Sequence, residues 1–501
     1  MTGMVDVMVV GGGINGVGIA RDAVGRGLSV CLCERDDLAA HTSSASTKLI
    51  HGGLRYLEQY EFALVGKALA EREVLLKLAP HVIWPLRFVL PHESHLRPAW
   101  MIRLGLFLYD HLGRRRSLPG SRRIRLEGNP LGAPLKPQFH TGFVYSDAWV
   151  QDARLAVLNA MDAAARGAEI LPRTRCVAAV RSAGHWQVTL ADAAGRERTL
   201  TARALVNATG PWAVRFLDEI AHVPHTHTLR LVKGSHIVVR RLFEHDHAYI
   251  FQQPDRRIVF AIPYEHDYTL IGTTDVDYHG DPAQVHIDAE ETAYLCAAVN
   301  RYFRRAIAPA DVVWSYSGVR PLLDDHQQNA SEVTRDYRLE LDTDGAPLLN
   351  VFGGKLTTYR RLGEEALDLL ANVLPTRGGA WTSDPAQPLP GGERDPNALA
   401  DAWRAQRPWL TASLAWRLAH QYGTRGERIL GEAGSLDALG IAFGAELYQA
   451  EVDYLREHEW ARTAEDILWR RSKLGLHVTP ADAARLAAYL ADTQSAAAGT
   501  A

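Results

Sequence analysis

The stretch HTSSASTKLIHGGLRYLE, residues 41–58, holds the densest group of side chains in this chain that could act on a ligand. Its hydroxyls, those of Ser44 and Ser46 among them, and the ammonium of Lys48 can donate to phosphates, and Leu49 and His51 follow. Gly52 and Gly53 permit close backbone approach, and Arg55 and Tyr56 come directly after. A second cationic set lies far along the chain, Arg320 in SYSGVRPL and Lys355 in FGGKLTTY. Guanidinium forks and a lysine charge suit either carboxylate or phosphate. The group therefore suggests an anionic substrate with an oxidisable carbon, against the plainer alternative of a polar loop.

Such groups need a scaffold, and its signature opens the chain. In VMVVGGGING, residues 7–16, the pattern Gly11-x-Gly13-x-x-Gly16 lies between a strand-like run, 5–10, and a helical run, 14–24. Glycine tolerates the turn, Gly13 admits a pyrophosphate against the helix N-terminus, and Gly16 lets helix and strand close together. The next strand-like run, 28–33, ends at Glu34, the spacing of a carboxylate that binds an adenosine ribose. A dinucleotide is predicted, NAD and FAD being alike at this turn. Two later segments repeat the order of apolar run, small-residue turn and helix. They are ALVNATG, 204–210, which brings Gly210 and is followed by Pro211 and Trp212, and PLLNVFGGKLTTYR, 347–360, which brings Gly354, Leu356 and Thr357. Returning strands of a discontinuous domain suit an extended flavin better than a nicotinamide cofactor, so FAD is the cofactor expected.

Between those returns, residues 231–275 give short alternating β-rich runs that predict an antiparallel sheet, with helices at 61–79 and 290–305 to cover it. Residues 375–396, rich in Pro and Gly, read as a linker, and the pattern beyond is helical. Its last helix carries Thr479 as N-cap, Pro480 at the first position and an acid three residues after the cap, with the tail SAAAGTA expected to fray. The fold class predicted is α/β: a discontinuous FAD-binding Rossmann-like domain, an inserted antiparallel-sheet substrate (cap) domain and a C-terminal all-helical domain. The FAD-binding domain takes 1–73, 146–231 and 329–386; 74–145 is a cap or membrane-facing segment; 232–328 is the cap domain; 387–501 is helical.

Composition narrows the setting. The 501 residues and 47% hydrophobic content support two or three domains, and a formal charge of −3 gives no reason to expect nucleic acid as partner. Four cysteines are too few for a disulfide framework, Cys31 and Cys33 read as small buried residues, and no metal site is expected. The N-terminus lacks the basic start of a secretory signal, which predicts a cytoplasmic setting, and no apolar run is long enough to span a membrane. Residues 97–125 nevertheless carry eight Arg against the single Asp110, beside Trp100, Met101, Ile102, Leu104, Leu106, Phe107, Leu108 and Tyr109. That composition predicts an anionic membrane surface as partner, a core helix with a basic loop being the alternative.

The ordered segments VVGGGINGVGIARDAVGRGLSV, SSASTKLIHGGLRYLEQYEFALV, NATGPW, LVKGSHIVV, IGTTD, YSGVRPL and VFGGKLTTYRRL resemble the bacterial aerobic, FAD-dependent sn-glycerol-3-phosphate dehydrogenases. The likeness covers nearly all of 5–390 and continues into the helical C-terminal domain. It implies a peripheral protein on the cytoplasmic face of the inner membrane that oxidises glycerol 3-phosphate to dihydroxyacetone phosphate and reduces ubiquinone, with a homodimer an open expectation. Carried over residue by residue, the resemblance implies FAD against Gly11, Gly13, Gly16, Glu34, Ser44, Ser46, Lys48, Leu49, Gly210, Trp212, Gly354, Leu356 and Thr357. It implies the substrate phosphate on Arg55, Tyr56, Arg320 and Lys355, and His51 or His236 as base, with Arg320 counted among the catalytic residues as well. Two rivals stay open: a soluble oxidase using O₂, and a flavin-binding membrane scaffold without turnover.

Overall fold

The computed structural model describes residues 3–54, 57, 60–93, 98–113, 117–182, 184–255, 257–323 and 336–499. Apolar β-branched runs bounded by glycine make two sheets. In the first, Leu348–Phe352, Glu197–Asn207, Met4–Val10, Val30–Cys33 and Glu169–Leu171 lie side by side and parallel, with Arg338–Asp342 antiparallel at one edge. A hairpin, Thr174–Ser182 and His185–Asp192, pairs onto the long strand Glu197–Asn207. The central strands are buried on both faces, as a parallel sheet requires. The helix Ile14–Gly25 packs between Asp152–Ala165 and Tyr359–Leu370 on one of those faces.

The predicted antiparallel runs appear as Leu229–Arg240, Ala248–Gln252, Ile258–Tyr264 and Tyr268–Gly272, joined by Val312–Leu323. This second sheet is larger than the run 231–275 suggests. Leu49–Ile50, Ile83–Pro91, Arg122–Arg125 and Thr141–Val150 belong to it as well, and the junction between Ile83–Pro91 and Ala248–Gln252 is parallel. Only an interleaved chain allows that, because a parallel neighbour cannot be reached through a tight turn. The expected covering helices are Phe62–Leu78 and Ala289–Asn300, the second opened by an Asp288–Glu291 capping box.

Beyond the linker, the helices Pro396–Gln406, Ala412–Tyr422, Gln449–His458 and Pro480–Gly499 surround a core of their own. Thr479 and Asp482 exchange backbone bonds as a capping box, as their spacing predicts. The tail differs from expectation: the helix continues to Gly499, in keeping with the high helix propensity of its alanine run. The linker is strapped down rather than loose, with Trp381 Nε1 donating to Asp22 O at 3.2 Å and the Leu389 N–H to Leu78 O at 2.8 Å. Among the described residues no helix is long and apolar enough to cross a membrane. All four cysteines are buried and free, Cys31 and Cys33 as their setting in an apolar run predicts.

Candidate active site

Four neighbouring parallel strands end at one edge of the first sheet, and the residue after each, Gly11, Glu34, Ala208 and Gly353, lines a single cavity of about 670 Å³. Ligands of open α/β sheets bind outside those carboxyl ends. The turn after Met4–Val10 is closed so tightly that only glycine fits. A Cβ on Gly16 would lie 1.9 Å from Gly11 O, and one on Gly11, at φ +114°, would lie 2.4 Å from Ala208 O. At the N-terminus of the helix behind this turn, Ile14 N donates to Ser43 Oγ at 2.9 Å. Glu34 accepts from Gly12 N at 2.7 Å and Asp36 N at 2.9 Å. Burial pushes its carboxyl up, against those two backbone bonds.

The second sheet supplies the opposite wall. Gly234, His236, Phe260, Thr273, Gly318 and Arg320 line it, with His51 and Lys355 from the loops. Side chains alternate across a strand, and Leu229–Arg240 pairs with Val312–Leu323 so that Gly234 faces Gly318 and Val232 faces Arg320. His236 is 2% exposed. Its Nε2 lies 2.9 Å from Thr47 Oγ1, while Nδ1 has no hydrogen-bond partner among the described residues. Burial, then the Lys48 and Arg320 charges, hold the imidazole well below the usual histidine range, so it is neutral at pH 7. Arg320 is oriented by Asp275 at 2.6 Å and by Thr274 O at 3.2 Å. The His51 backbone N–H donates to Thr357 Oγ1 at 3.3 Å.

The candidate residues from the sequence therefore meet in one place, with exceptions. Gly11, Gly13, Glu34, Ser46, Leu49, His51, Gly210, Trp212, His236, Arg320, Gly354, Lys355, Leu356 and Thr357 line the cavity. Arg55 and Tyr56 fall outside the described residues. Gly16 shapes the turn from behind, and Ser44 donates to His41 O at 3.1 Å. Lys48 differs from the expectation that its ammonium meets phosphate or flavin: it is 1% exposed and donates to both carboxylate oxygens of Asp152 at 2.8 Å. A buried ammonium requires such a partner. Thr47, Ser43, Asp152 and Asp275 were missed by the sequence reading, because the partners lie 29 to 189 positions away. For Thr47 the polar run in which it sits was the only signal.

The cavity fits FAD. The glycine cradle leaves backbone N–H groups for phosphates, and the Trp212 indole N–H is buried without a partner among the described residues, a donor that a bound group would satisfy. Gly353 and Gly354, at φ +72° and +106°, open the third glycine turn beside it, where Asn15 Nδ2 donates to Gly353 O at 3.0 Å.

Comparison with known proteins agrees. A family model described as FAD dependent oxidoreductase matches residues 6–360, and one described as the C-terminal domain of alpha-glycerophosphate oxidase matches 385–495. A glycerol-3-phosphate dehydrogenase of Pseudomonas aeruginosa is 57% identical over 97% of this chain and 94% of its own length. The aerobic glycerol-3-phosphate dehydrogenase of Escherichia coli (strain K12) is 52% identical over 97% of each chain, and a D-erythritol 1-phosphate dehydrogenase of Brucella abortus is 52% identical over 96% of each. The crystal structure of a glycerol-3-phosphate dehydrogenase from Bacillus halodurans, complexed with FAD, superposes with a TM-score of 0.74 at 28% identity, covering 94% of this chain and 86% of that one. With its glycine cradle, its cationic wall and these relatives, the chain belongs to the FAD-dependent oxidoreductases of the glycerol-3-phosphate dehydrogenase family.

Proposed function

We propose that this chain oxidises sn-glycerol 3-phosphate to dihydroxyacetone phosphate in the cavity and delivers the electrons to ubiquinone at an anionic membrane surface. The observation that carries the reading is the single cavity in which the glycine-rich strand ends meet His51, His236, Arg320 and Lys355. FAD, when bound, supplies the acceptor for the C2 hydride. Arg320 and Lys355, with Arg55 and Tyr56, hold the phosphate, the guanidinium through paired charge-assisted bonds. His236 takes the C2 hydroxyl proton, since a neutral imidazole in a dry wall has a lone pair ready to accept it. Phosphate bound at Arg320 offsets one of the charges that disfavour imidazolium, so the base strengthens when substrate arrives. His51 is the alternative base.

The test is anaerobic addition of glycerol 3-phosphate to the purified holoprotein. Bleaching of the flavin within the mixing time supports the reading; a spectrum that never changes removes it and leaves the scaffold. A D-erythritol 1-phosphate dehydrogenase is as similar as the Escherichia coli glycerol-3-phosphate dehydrogenase, 52% each, which makes a longer phosphorylated polyol the second reading, so the panel includes erythritol phosphate. Peroxide yield against quinone reduction separates the oxidase.

The membrane part of the reading stands on the helix Ala99–Leu112. Trp100, Leu104 and Phe107, spaced along one helical face, are 66%, 50% and 48% exposed, while Leu106 and Tyr109 are buried. Arg122, Arg123 and Arg125 lie exposed or nearly so on the following strand. An apolar ridge beside guanidinium groups suits a lipid interface. Arg97 and Arg114 to Arg116 lie outside the described residues.

A further inference from the structure

The strand Val312–Leu323 sends Trp314, Tyr316, Gly318 and Arg320 to one face. Gly318 and Arg320 line the cavity, and Tyr316 and Trp314 continue the same row beyond it. In the neighbouring strand His236 is directly opposite Tyr316, and Val238 opposite Trp314. The His236 ring consequently lies flat on Tyr316, with centroids 4.7 Å apart and planes 11° from parallel. Across the next pairing stands Gly272, where a Cβ would come 2.1 Å from His236 Cδ2. The ring is thus confined on one side by an aromatic face and has room on the other only because glycine is there.

Tyr316 is fixed in turn. Its hydroxyl donates to Ser46 O at 2.7 Å, and the Lys48 ammonium stands 4.9 Å from its ring centre. Trp314 follows at 5.1 Å, and Trp314 stacks on Trp469 at 4.3 Å with planes 17° apart. Trp469 belongs to the helical turn Asp466–Arg471 of the C-terminal domain, and the Lys473 ammonium from the same domain lies 6.0 Å over Trp314. Three aromatic rings, Trp469, Trp314 and Tyr316, therefore run in successive contact from the C-terminal domain to the imidazole.

We propose that Tyr316 is the positioning residue for the His236 base, and that the C-terminal domain sets the placement of both through the Trp469–Trp314 stack. This rests on the reading of His236 as base. The physical need is plain: one hydrogen bond, Nε2 to Thr47, fixes a point of the imidazole but not its plane, and proton transfer depends on both. The face contact supplies the missing constraint. It also gives the C-terminal domain, which holds no motif with chemistry of its own, a part in the reaction.

The experiment compares holoprotein variants by anaerobic rapid mixing with glycerol 3-phosphate, by KM, and by the calorimetric affinity for dihydroxyacetone phosphate. Tyr316→Leu is expected to slow flavin reduction by about 10- to 100-fold, the range of a misplaced reacting group. Its KM and product affinity stay within about twofold, because the phosphate contacts are untouched. Tyr316→Phe keeps the ring and is expected to run within about threefold of the parent, and Trp469→Leu to slow reduction by about three- to tenfold. In a His236→Asn background Tyr316→Leu adds nothing further.

A parent-like rate in Tyr316→Leu overturns the proposal, as does an undiminished effect of Tyr316→Leu in the His236→Asn background or a Tyr316→Phe as slow as Tyr316→Leu. Should Tyr316→Leu not fold, Trp469→Leu decides, and a parent-like rate there overturns it. A separate result, parent-like reduction by His236→Asn itself, sinks the base assignment and this inference with it.

Discussion

Arg320 lines the cavity and is held there by Asp275 and the Thr274 carbonyl. A charge-assisted bond contributes about 1.5–3 kcal/mol, so Arg320→Met is expected to raise KM for glycerol 3-phosphate by about 10- to 100-fold while the bound flavin spectrum is kept. Steady-state kinetics beside an absorption spectrum check both halves. Lys48 works differently. With each partner 1% exposed, the Lys48–Asp152 pair has no water to fall back on. Asp152→Ala would bury an unpaired ammonium, at a cost of about 3–5 kcal/mol, and a fall in melting temperature with loss of bound flavin is expected. An unchanged melting curve would mean that water reaches the site.

At the scale of elements, the first turn and the exposed helix carry the sharpest consequences. Gly16→Ala would drive a methyl group into Gly11 O, and neither atom can move without separating Ile14–Gly25 from Met4–Val10. The expected product is a colourless protein that does not take up FAD on reconstitution, read by absorbance at visible wavelengths. The helix Ala99–Leu112 has two separable faces. Replacing Trp100, Leu104 and Phe107 together by Ser leaves Leu106 and Tyr109 in their packing. Such a variant should stay at the bottom of a gradient with anionic liposomes and still bleach with substrate. Flotation equal to the parent would remove this helix from the membrane contact.

Across the whole molecule, the C-terminal domain is clamped to the nucleotide-binding sheet by buried charge. Asp37, in the loop after Val30–Cys33, takes Arg471 at 2.7 and 2.8 Å and Arg470 at 2.7 Å; Arg173 reaches Asp466 at 2.6 Å, and Arg154 pairs with Glu459. Exposed pairs contribute about 0–1 kcal/mol, but removing one partner of a buried pair costs about 3–5, so losing a single partner here would weaken the junction. Lys473 lies at the same junction. Burial, then the Lys48 charge, bring its ammonium down to about 7. The unfolded chain keeps that proton up to roughly pH 10, so between pH 7 and 9 the unfolded state binds more protons than the folded one and stability rises with pH. The melting temperature is expected to climb over that window, and Lys473→Met to flatten the climb; calorimetry at both values checks it.

Several features were legible before any fold was known because their causes are local. The glycine turn with Glu34 at the end of the next strand, the alternating runs of the second sheet and the Thr479–Asp482 cap are each set by residues within one or two elements, through φ demands, side-chain periodicity and backbone donors. What the sequence could not say is who meets whom. Lys48 is paired with a carboxylate 104 positions away, Thr47 reaches His236 across 189, and the strands 83–91 and 141–150 enter a sheet shared with strands from 229 onward. Those meetings follow from strand register and from the order in which the chain revisits its sheets. Both are settled by burying all the apolar faces at once, a condition that no single stretch of sequence contains.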